Sequence, residues 1–205
     1  MNWTRGYCYK VMAVSALVFL GIIFLFAYTE FMVKYDNHVV NLVSVLKNSF
    51  VDNFLDFFPS ITALVLLAVI SILVLGLCMY TRRYWDALFY VVLVGSGSLI
   101  QLGLKEVFHR VRPENILETG FSFPSTHVTL AVLVFGAVDF IFWRRSSKAS
   151  FVFIFAPIIV ALIRLYLGVH WFSDVLASFA FGFFWVAFCI IIYSAIFYIK
   201  ERDAD

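Results

Sequence analysis

The chain has 205 residues, 63% of them hydrophobic and 14% charged, with a mean hydropathy of +0.97. Soluble domains are about 45–50% apolar and about 25% charged, so this composition excludes a soluble globular protein and points to an integral membrane protein. A net charge of +2 without any basic block argues against a nucleic-acid partner, and the scattered Cys8, Cys78 and Cys189 have neither metal-ligand nor disulfide-framework spacing.

A helix needs about 20 apolar residues to cross a bilayer. Six runs reach that scale: Val11–Tyr28, Phe58–Tyr80, Ala87–Leu104, Thr126–Trp143, Phe151–Leu167 and Val175–Ile199. Their hydrophobicity is continuous rather than alternating, which argues against a β-barrel, the other structure able to span lipid. The expected architecture is an all-α polytopic bundle of six transmembrane helices, one domain over residues 1–205. The first run is long and no small-residue cleavage pattern follows it, so it reads as a retained span. Cys8, just before it, reads as an unmodified thiol.

Between the first two runs, Val39, Leu42, Val43, Leu46 and Phe50 recur at helical spacing opposite Asn41, Ser44, Lys47 and Asn48. This predicts an amphipathic helix over residues 37–50 in the outer interface, either capping the bundle or forming a lip past which a lipid enters. His38 reads as a solvated loop residue at its start. In the third run, Gly95, Ser96, Gly97, Ser98 and Gly103 are small residues of the kind that let membrane helices approach closely. Asp139, in the fourth run, lies about one turn from Arg144 and Arg145 and reads as a structural carboxylate that snorkels or pairs with them. Trp3, Trp85 and Trp143 fall at one boundary and Trp171 at the other, as interfacial anchors do. The 25 phenylalanines suit lipid-facing and bundle-filling positions and call for no cofactor.

Lys and Arg concentrate on the cytoplasmic side of membrane proteins. With the N-terminus inside, the inner segments hold Arg5, Lys10, Arg82, Arg83, Arg144, Arg145, Lys148, Lys200 and Arg202, and the outer ones Lys34, Lys47, Lys105, Arg110, Arg112 and Arg164. The short basic turns Thr81–Asp86 and Trp143–Ser150 carry most of this argument. Both termini are therefore expected in the cytoplasm.

Polar residues gather in three places, all at outer helix ends: Lys105 to Pro113, Phe123 to His127, and Arg164 to Asp174. Lys105, Arg112 and Arg164 can clamp phosphoryl oxygens, Arg in bidentate fashion. Pro113 is expected to stop any helix running through Arg112. Pro124-Ser125 before an apolar run marks a helix start with Ser125 as a candidate cap. Free N–H groups at that start, including that of Thr126, make an anion site. His170 precedes Asp174 by four residues, so one helical turn would bring them together. A carboxylate on one ring nitrogen fixes the tautomer and frees the other to attack. That reading makes His170 the nucleophile, Asp174 its orienter and His127 the general acid, then the base that hydrolyses a phosphohistidine. The cations and helix end supply the positive charge, so no metal is called for. Taken singly, a boundary Lys or Arg is an anchor and a lone His is structural; six such residues at one depth are not explained that way. Glu106, His109, Arg110, Glu114 and Glu118 read as solvated or rim residues.

These residues resemble the type 2 phosphatidic acid phosphatase superfamily, which also includes the soluble vanadium haloperoxidases. Its motifs are Lys-x6-Arg-Pro, Pro-Ser-Gly-His and Ser-Arg-x5-His-x3-Asp. Here they read Lys105…Arg112-Pro113, Pro124-Ser125-Thr126-His127 and Ile163-Arg164…His170…Asp174. The resemblance implies a metal-independent phosphatase without cofactors that acts through a phosphohistidine on lipid phosphates or diphosphates. Its small bacterial members act on phosphatidylglycerol phosphate, phosphatidic acid or undecaprenyl diphosphate. A plasma-membrane location with an extracytoplasmic site is expected, with membrane lipids and a lipid phosphate as partners. Two positions depart from the pattern. Thr126 replaces a glycine that would let backbone approach phosphate closely, narrowing the cradle or adding a hydroxyl. Ile163 replaces a serine and removes a polar neighbour. A silent relative that binds or transports a lipid phosphate is the competing class, against which the complete histidine pair and Asp174 argue. A channel would need polar residues at mid-membrane depth, and the runs offer little beyond Asp139.

Overall fold

A computed structural model of the chain describes residues 5–28, 31–51, 60–113, 120–143 and 150–202. Trp3, Glu114, Glu118, Arg144, Arg145 and Lys148 lie outside them. The described residues form seven long helices and no strand: α1 Arg5–Tyr28, α2 Phe31–Leu46, α3 Ser60–Tyr80, α4 Tyr84–Phe108, α5 Thr126–Trp143, α6 Ser150–Tyr166 and α7 Phe172–Arg202. α1, α4 and α7 outrun the apolar runs that forecast them, because intrahelical hydrogen bonding does not stop where hydrophobicity does. The run Ala87–Leu104, for example, lies inside the 25 residues of α4. Four segments are long and apolar enough to cross a membrane: Arg5–Leu25, Ala63–Tyr80, Tyr84–Phe108 and Phe172–Ile196. In α5 and α6 the apolar segments are shorter, Thr126–Phe142 and Phe153–Tyr166.

α5 forms the middle of the bundle, packed by α3, α4, α6 and α7, and Val128, Ala131, Val132, Leu133, Val134 and Ala137 are all buried along it. α1 lies along α7. The outward faces carry large apolar side chains: Leu17 on α1, Ile72 on α3 and Leu99 on α4 are each about 70% exposed. Contiguous exposed apolar surface on this scale is what a lipid environment covers.

Close approach depends on particular glycines. A Cβ at Gly97 would meet Leu133 Cδ1 at 2.7 Å, and one at Gly182 would meet Val132 Cγ1 at 2.6 Å, whereas Gly95 and Gly103 face open space. The small-residue reading of the third run therefore holds for Gly97 and not for those two. At the end away from the polar clusters, Arg83 pairs with Asp86 (2.6 Å) and donates to Ile141 O (2.8 Å), and the Tyr193 hydroxyl donates to Asp86 Oδ1 (2.8 Å). Cys8, Cys78 and Cys189 are unpaired and buried.

Two expectations, the loop placement of His38 and the end of the amphipathic helix, need correction. The amphipathic segment is helical from Phe31 to Leu46, so His38 is an exposed helical residue rather than a loop residue. The helix stops at Leu46, and Asn48 Oδ1 accepts the N–H of Phe50 at 2.8 Å, an Asx-type bond that competes with helix. Met32 and Asp36 of this helix are buried, while Leu42, Leu46 and Phe50 are exposed. Asp139 is 3% exposed, which leaves pairing rather than snorkelling, with Arg144 and Arg145 outside the described residues.

Candidate active site

Lys105 lies in the last turn of α4. That helix ends because His109 adopts the left-handed conformation (φ 44°, ψ 31°) and donates its N–H to Lys105 O at 3.0 Å. Histidine is among the non-glycine residues enriched there, and the bond satisfies a terminal carbonyl. Pro113, expected to be the stop, comes after the helix has ended. The Lys105 ammonium donates to Phe121 O at 2.5 Å. Beyond His109, burial alternates as in an extended segment: Arg110 is buried, Val111 is 79% exposed and Arg112 is half-buried. The alternation turns both arginines toward the start of α7. Ser122 fastens this segment by donating its N–H to Arg110 O at 2.8 Å.

The second cluster opens α5. The Phe123–Pro124 peptide is cis. Ser125 holds the cap position, its carbonyl accepting the Thr129 N–H at 3.0 Å and its own N–H donating to Ser178 Oγ at 2.8 Å. Its hydroxyl does not cap the helix, contrary to expectation: Ser125 Oγ is buried with no hydrogen-bond partner among the described residues. The N–H groups of Thr126, His127 and Val128 precede the first intrahelical bond, at the positive end of the helix dipole. The Thr126 hydroxyl is engaged from behind by Gln101 Nε2, which donates to it at 3.1 Å and to Pro124 O at 3.1 Å. Gln101 and Lys105, one turn apart on α4, thus both hold the segment leading into α5.

The third cluster spans the turn from α6 to α7. Arg164, in the last turn of α6, is 1% exposed. The helix closes with Leu167 N–H to Ile163 O (2.9 Å) and Gly168 N–H to Leu165 O (3.0 Å). Gly168 has φ 68°, a conformation open to glycine. Trp171 immediately precedes α7, its carbonyl accepting the Asp174 N–H at 3.1 Å. Asp174 Oδ2 reaches back to the Trp171 N–H at 2.9 Å, half of a capping box. This fold-back, rather than a shared helical turn, brings Asp174 Oδ2 to 3.5 Å from His170 Nδ1. At that separation Nδ1 faces the carboxylate without a hydrogen bond to it, buried and with no hydrogen-bond partner among the described residues. On the other side of the ring, Arg112 Nη1 lies 3.3 Å from His170 Nε2 and also donates to Val169 O at 3.0 Å. Arginine can only donate, so this contact calls for a lone pair on Nε2 and the proton on Nδ1, facing Asp174.

Burial pushes the His170 pKa down to about 4; Asp174 opposes the shift, and Arg112 and Arg164 reinforce it. The ring is therefore neutral at pH 7, as a nucleophile must be. Burial also lowers the Arg112 pKa, against the pull of Asp174. His127, in the first turn of α5, is 5% exposed. One region thus holds a neutral imidazole oriented by a carboxylate, three cations, a buried free hydroxyl and a helix N-terminus, a set able to bind a phosphoryl group and accept it on nitrogen.

Sequence reasoning missed the residue that ties this region to α2. Arg110 is 8% exposed, not solvated. It donates to Asp174 Oδ1 (2.6 Å), to Ser173 Oγ (2.6 Å) and to Asp36 Oδ2 (2.5 Å). The available signal was its spacing from Arg112: two apart, ahead of a proline that favours extended backbone, they share a side. Asp36 carried no signal beyond being a charge in an otherwise apolar stripe. His109 and Glu106 are exposed, as expected of rim residues.

Residues 83–198 match the model of the PAP2 superfamily, more than half of the chain. The chain belongs to the PAP2 superfamily. The matched region of this PAP2 chain contains all three clusters and leaves out α1, α2 and Asp36. The chain is 35% identical over 127 residues to phosphatidylglycerophosphatase B of Bacillus subtilis (strain 168), covering 57% of this chain and 62% of that relative, so it spans about three fifths of the relative's length. The fold is similar to the crystal structure described as the first transmembrane PAP2 type phosphatidylglycerolphosphate phosphatase, from Bacillus subtilis. The TM-score is 0.68 at 26% identity, over 88% of this chain and 96% of that one.

Proposed function

We propose that this PAP2 chain is a metal-independent membrane lipid phosphatase. The observation that carries the reading is His170, with Nδ1 facing Asp174 and Nε2 facing the Arg112 guanidinium, which poises Nε2 for attack. Lys105, Arg112 and Arg164 bind the phosphoryl oxygens together with Ser125 Oγ and the N–H groups of Thr126 and its neighbours. His170 Nε2 attacks phosphorus, the P–O bond to the lipid breaks, and His127 protonates the leaving oxygen. Water, deprotonated by His127, then attacks the phosphohistidine, releasing inorganic phosphate and restoring both rings. The clustered cations and the α5 N-terminus supply the charge stabilisation that a metal provides elsewhere.

The Bacillus relatives favour phosphatidylglycerol phosphate as substrate, with phosphatidic acid and undecaprenyl diphosphate as the other bacterial lipid phosphates of matching chemistry. In this reading α5 and α6 also span the membrane, giving six spans in a plasma membrane. The bias of Lys and Arg puts both termini in the cytoplasm and the site on the extracytoplasmic side.

The test is phosphate release by purified protein in detergent from each of the three lipids in the presence of a chelator. Wild type releases phosphate from at least one, and His170→Ala loses about a thousandfold or more of kcat. Wild-type turnover by His170→Ala would defeat the nucleophile assignment. Strict dependence on added divalent metal would defeat the metal-free mechanism. Binding of lipid phosphate with no turnover would identify a silent binder.

A further inference from the structure

The proposed mechanism uses Asp174 but leaves Asp36 and Arg110 without a role, although they form a buried ion-pair cluster with it. Arg110 Nη1 binds Asp174 Oδ1 and Nη2 binds Asp36 Oδ2, while Ser173 gives Asp36 its N–H (2.9 Å) and its hydroxyl (2.6 Å). Asp36 is 1% exposed and Asp174 is fully buried. The Arg110 guanidinium also lies 5.5 Å from the centroid of the Trp171 ring, over the residue that precedes α7.

We propose that Asp36 and Arg110 form a shared-charge clamp that holds Asp174 in place for His170, so that seating α2 on the bundle is a condition for turnover. Both are positioning residues: neither meets the ring, and each acts through Asp174. The inference rests on the His170–Asp174 reading above.

The geometry of the carboxylate supports it first. Asp174 Oδ1 is committed to Arg110, which leaves Oδ2 to face the Trp171 N–H and His170 Nδ1. Without Arg110 the carboxylate could rotate and exchange its oxygens. Charge supports it next. An arginine paired with Asp174 alone would cancel much of the negative charge that stabilises the cationic ring formed on attack, and the cancellation is strong in a low dielectric. Asp36 draws on the same guanidinium, so the three groups together keep one net negative charge. The third support is the cost of burial. An unpaired buried carboxylate is strongly unfavourable, so Asp36 at 1% exposure ties α2 to Arg110. A cluster that only pinned α2 would have needed no connection to Asp174.

The test compares Asp36→Asn, Arg110→Lys, Arg110→Gln and the double variant Asp36→Asn/Arg110→Gln with wild type. The substrates are the best lipid phosphate and the soluble p-nitrophenyl phosphate. Each is assayed at a temperature where size-exclusion and near-UV circular dichroism show folded protein. The expected result for Asp36→Asn is a kcat about tenfold or more below wild type on both substrates, with KM within about twofold. Arg110→Lys, which keeps the charge but not the fork, falls less than the double variant. The double variant loses less than the product of its single losses, because both sites act through one carboxylate.

Asp36→Asn with wild-type kcat overturns the inference. So does a loss confined to KM, or one confined to the lipid, which would make α2 a lip and nothing more. Should Asp36→Asn not fold, Arg110→Lys with wild-type kcat also overturns it. Wild type inactive on every phosphate ester overturns the phosphatase reading itself, a result distinguishable from an active wild type with an unimpaired Asp36→Asn.

Discussion

His170 is held neutral chiefly by burial; Asp174 opposes that shift, and Arg112 and Arg164 add to it. That has a measurable consequence without substrate. Between about pH 6.5, the ordinary histidine value, and about 4, the unfolded chain binds a proton that the folded ring refuses. Stability therefore falls as pH falls through that window and is level above it. The span corresponds to on the order of 3 kcal/mol. In phosphate-free detergent, wild type should lose several degrees of Tm more than His170→Gln between pH 6.5 and pH 4. Equal losses would mean that the ring is not held neutral. The same neighbourhood shows what residue identity conveys and what it does not. Lys105, Arg112, His127, Arg164, His170 and Asp174 were recognisable because their types and spacing match one chemistry. Arg110 was misread as solvated because a charge in a loop is solvated unless something buried needs it. Its partner Asp36 is 74 residues away.

At the scale of elements, hydrophobic runs located the helices, while packing chose their faces. α4 shows this best: Leu93, Gly97, Gln101 and Lys105 recur every four residues on its buried side, so one stripe passes from core packing to the candidate site. Glycines make the same point. Gly182 and Gly103 look alike in an apolar run, yet only Gly182 lies against a rigid, β-branched neighbour, Val132. Gly182→Ala is expected to destabilise by about 1–3 kcal/mol through overpacking, read as a lower Tm in detergent, while Gly103→Ala leaves Tm unchanged. Equal effects would show that α5 and α7 adjust freely. In α2 the amphipathic pattern did not say which side meets the protein: its exposed apolar residues suit lipid, and its protein-facing side carries a carboxylate.

At the scale of the whole molecule, the clusters gather at one end of the bundle and the Arg83–Asp86–Tyr193 clamp lies at the other. The orientation proposed from the charge bias can be read with single cysteines in a background lacking Cys8, Cys78 and Cys189. A membrane-impermeant maleimide added to intact cells should label Val111→Cys and spare Thr81→Cys until the membrane is permeabilised. The reverse pattern would invert the topology. Composition and apolar run length by themselves determined that this is a helical membrane protein, since the bilayer sets a one-dimensional length requirement that a chain meets or fails locally. Motif spacing likewise singled out the residues proposed to carry phosphoryl chemistry. Only the tertiary structure decided that Gln101 supports Thr126, that Asp174 folds back as a cap to meet His170, and that Arg110 divides its charge between Asp174 and Asp36. The first and last depend on which helix faces which, the Asp174 contact on how the turn before α7 closes, and a buried charge is stable only where packing has delivered its partner.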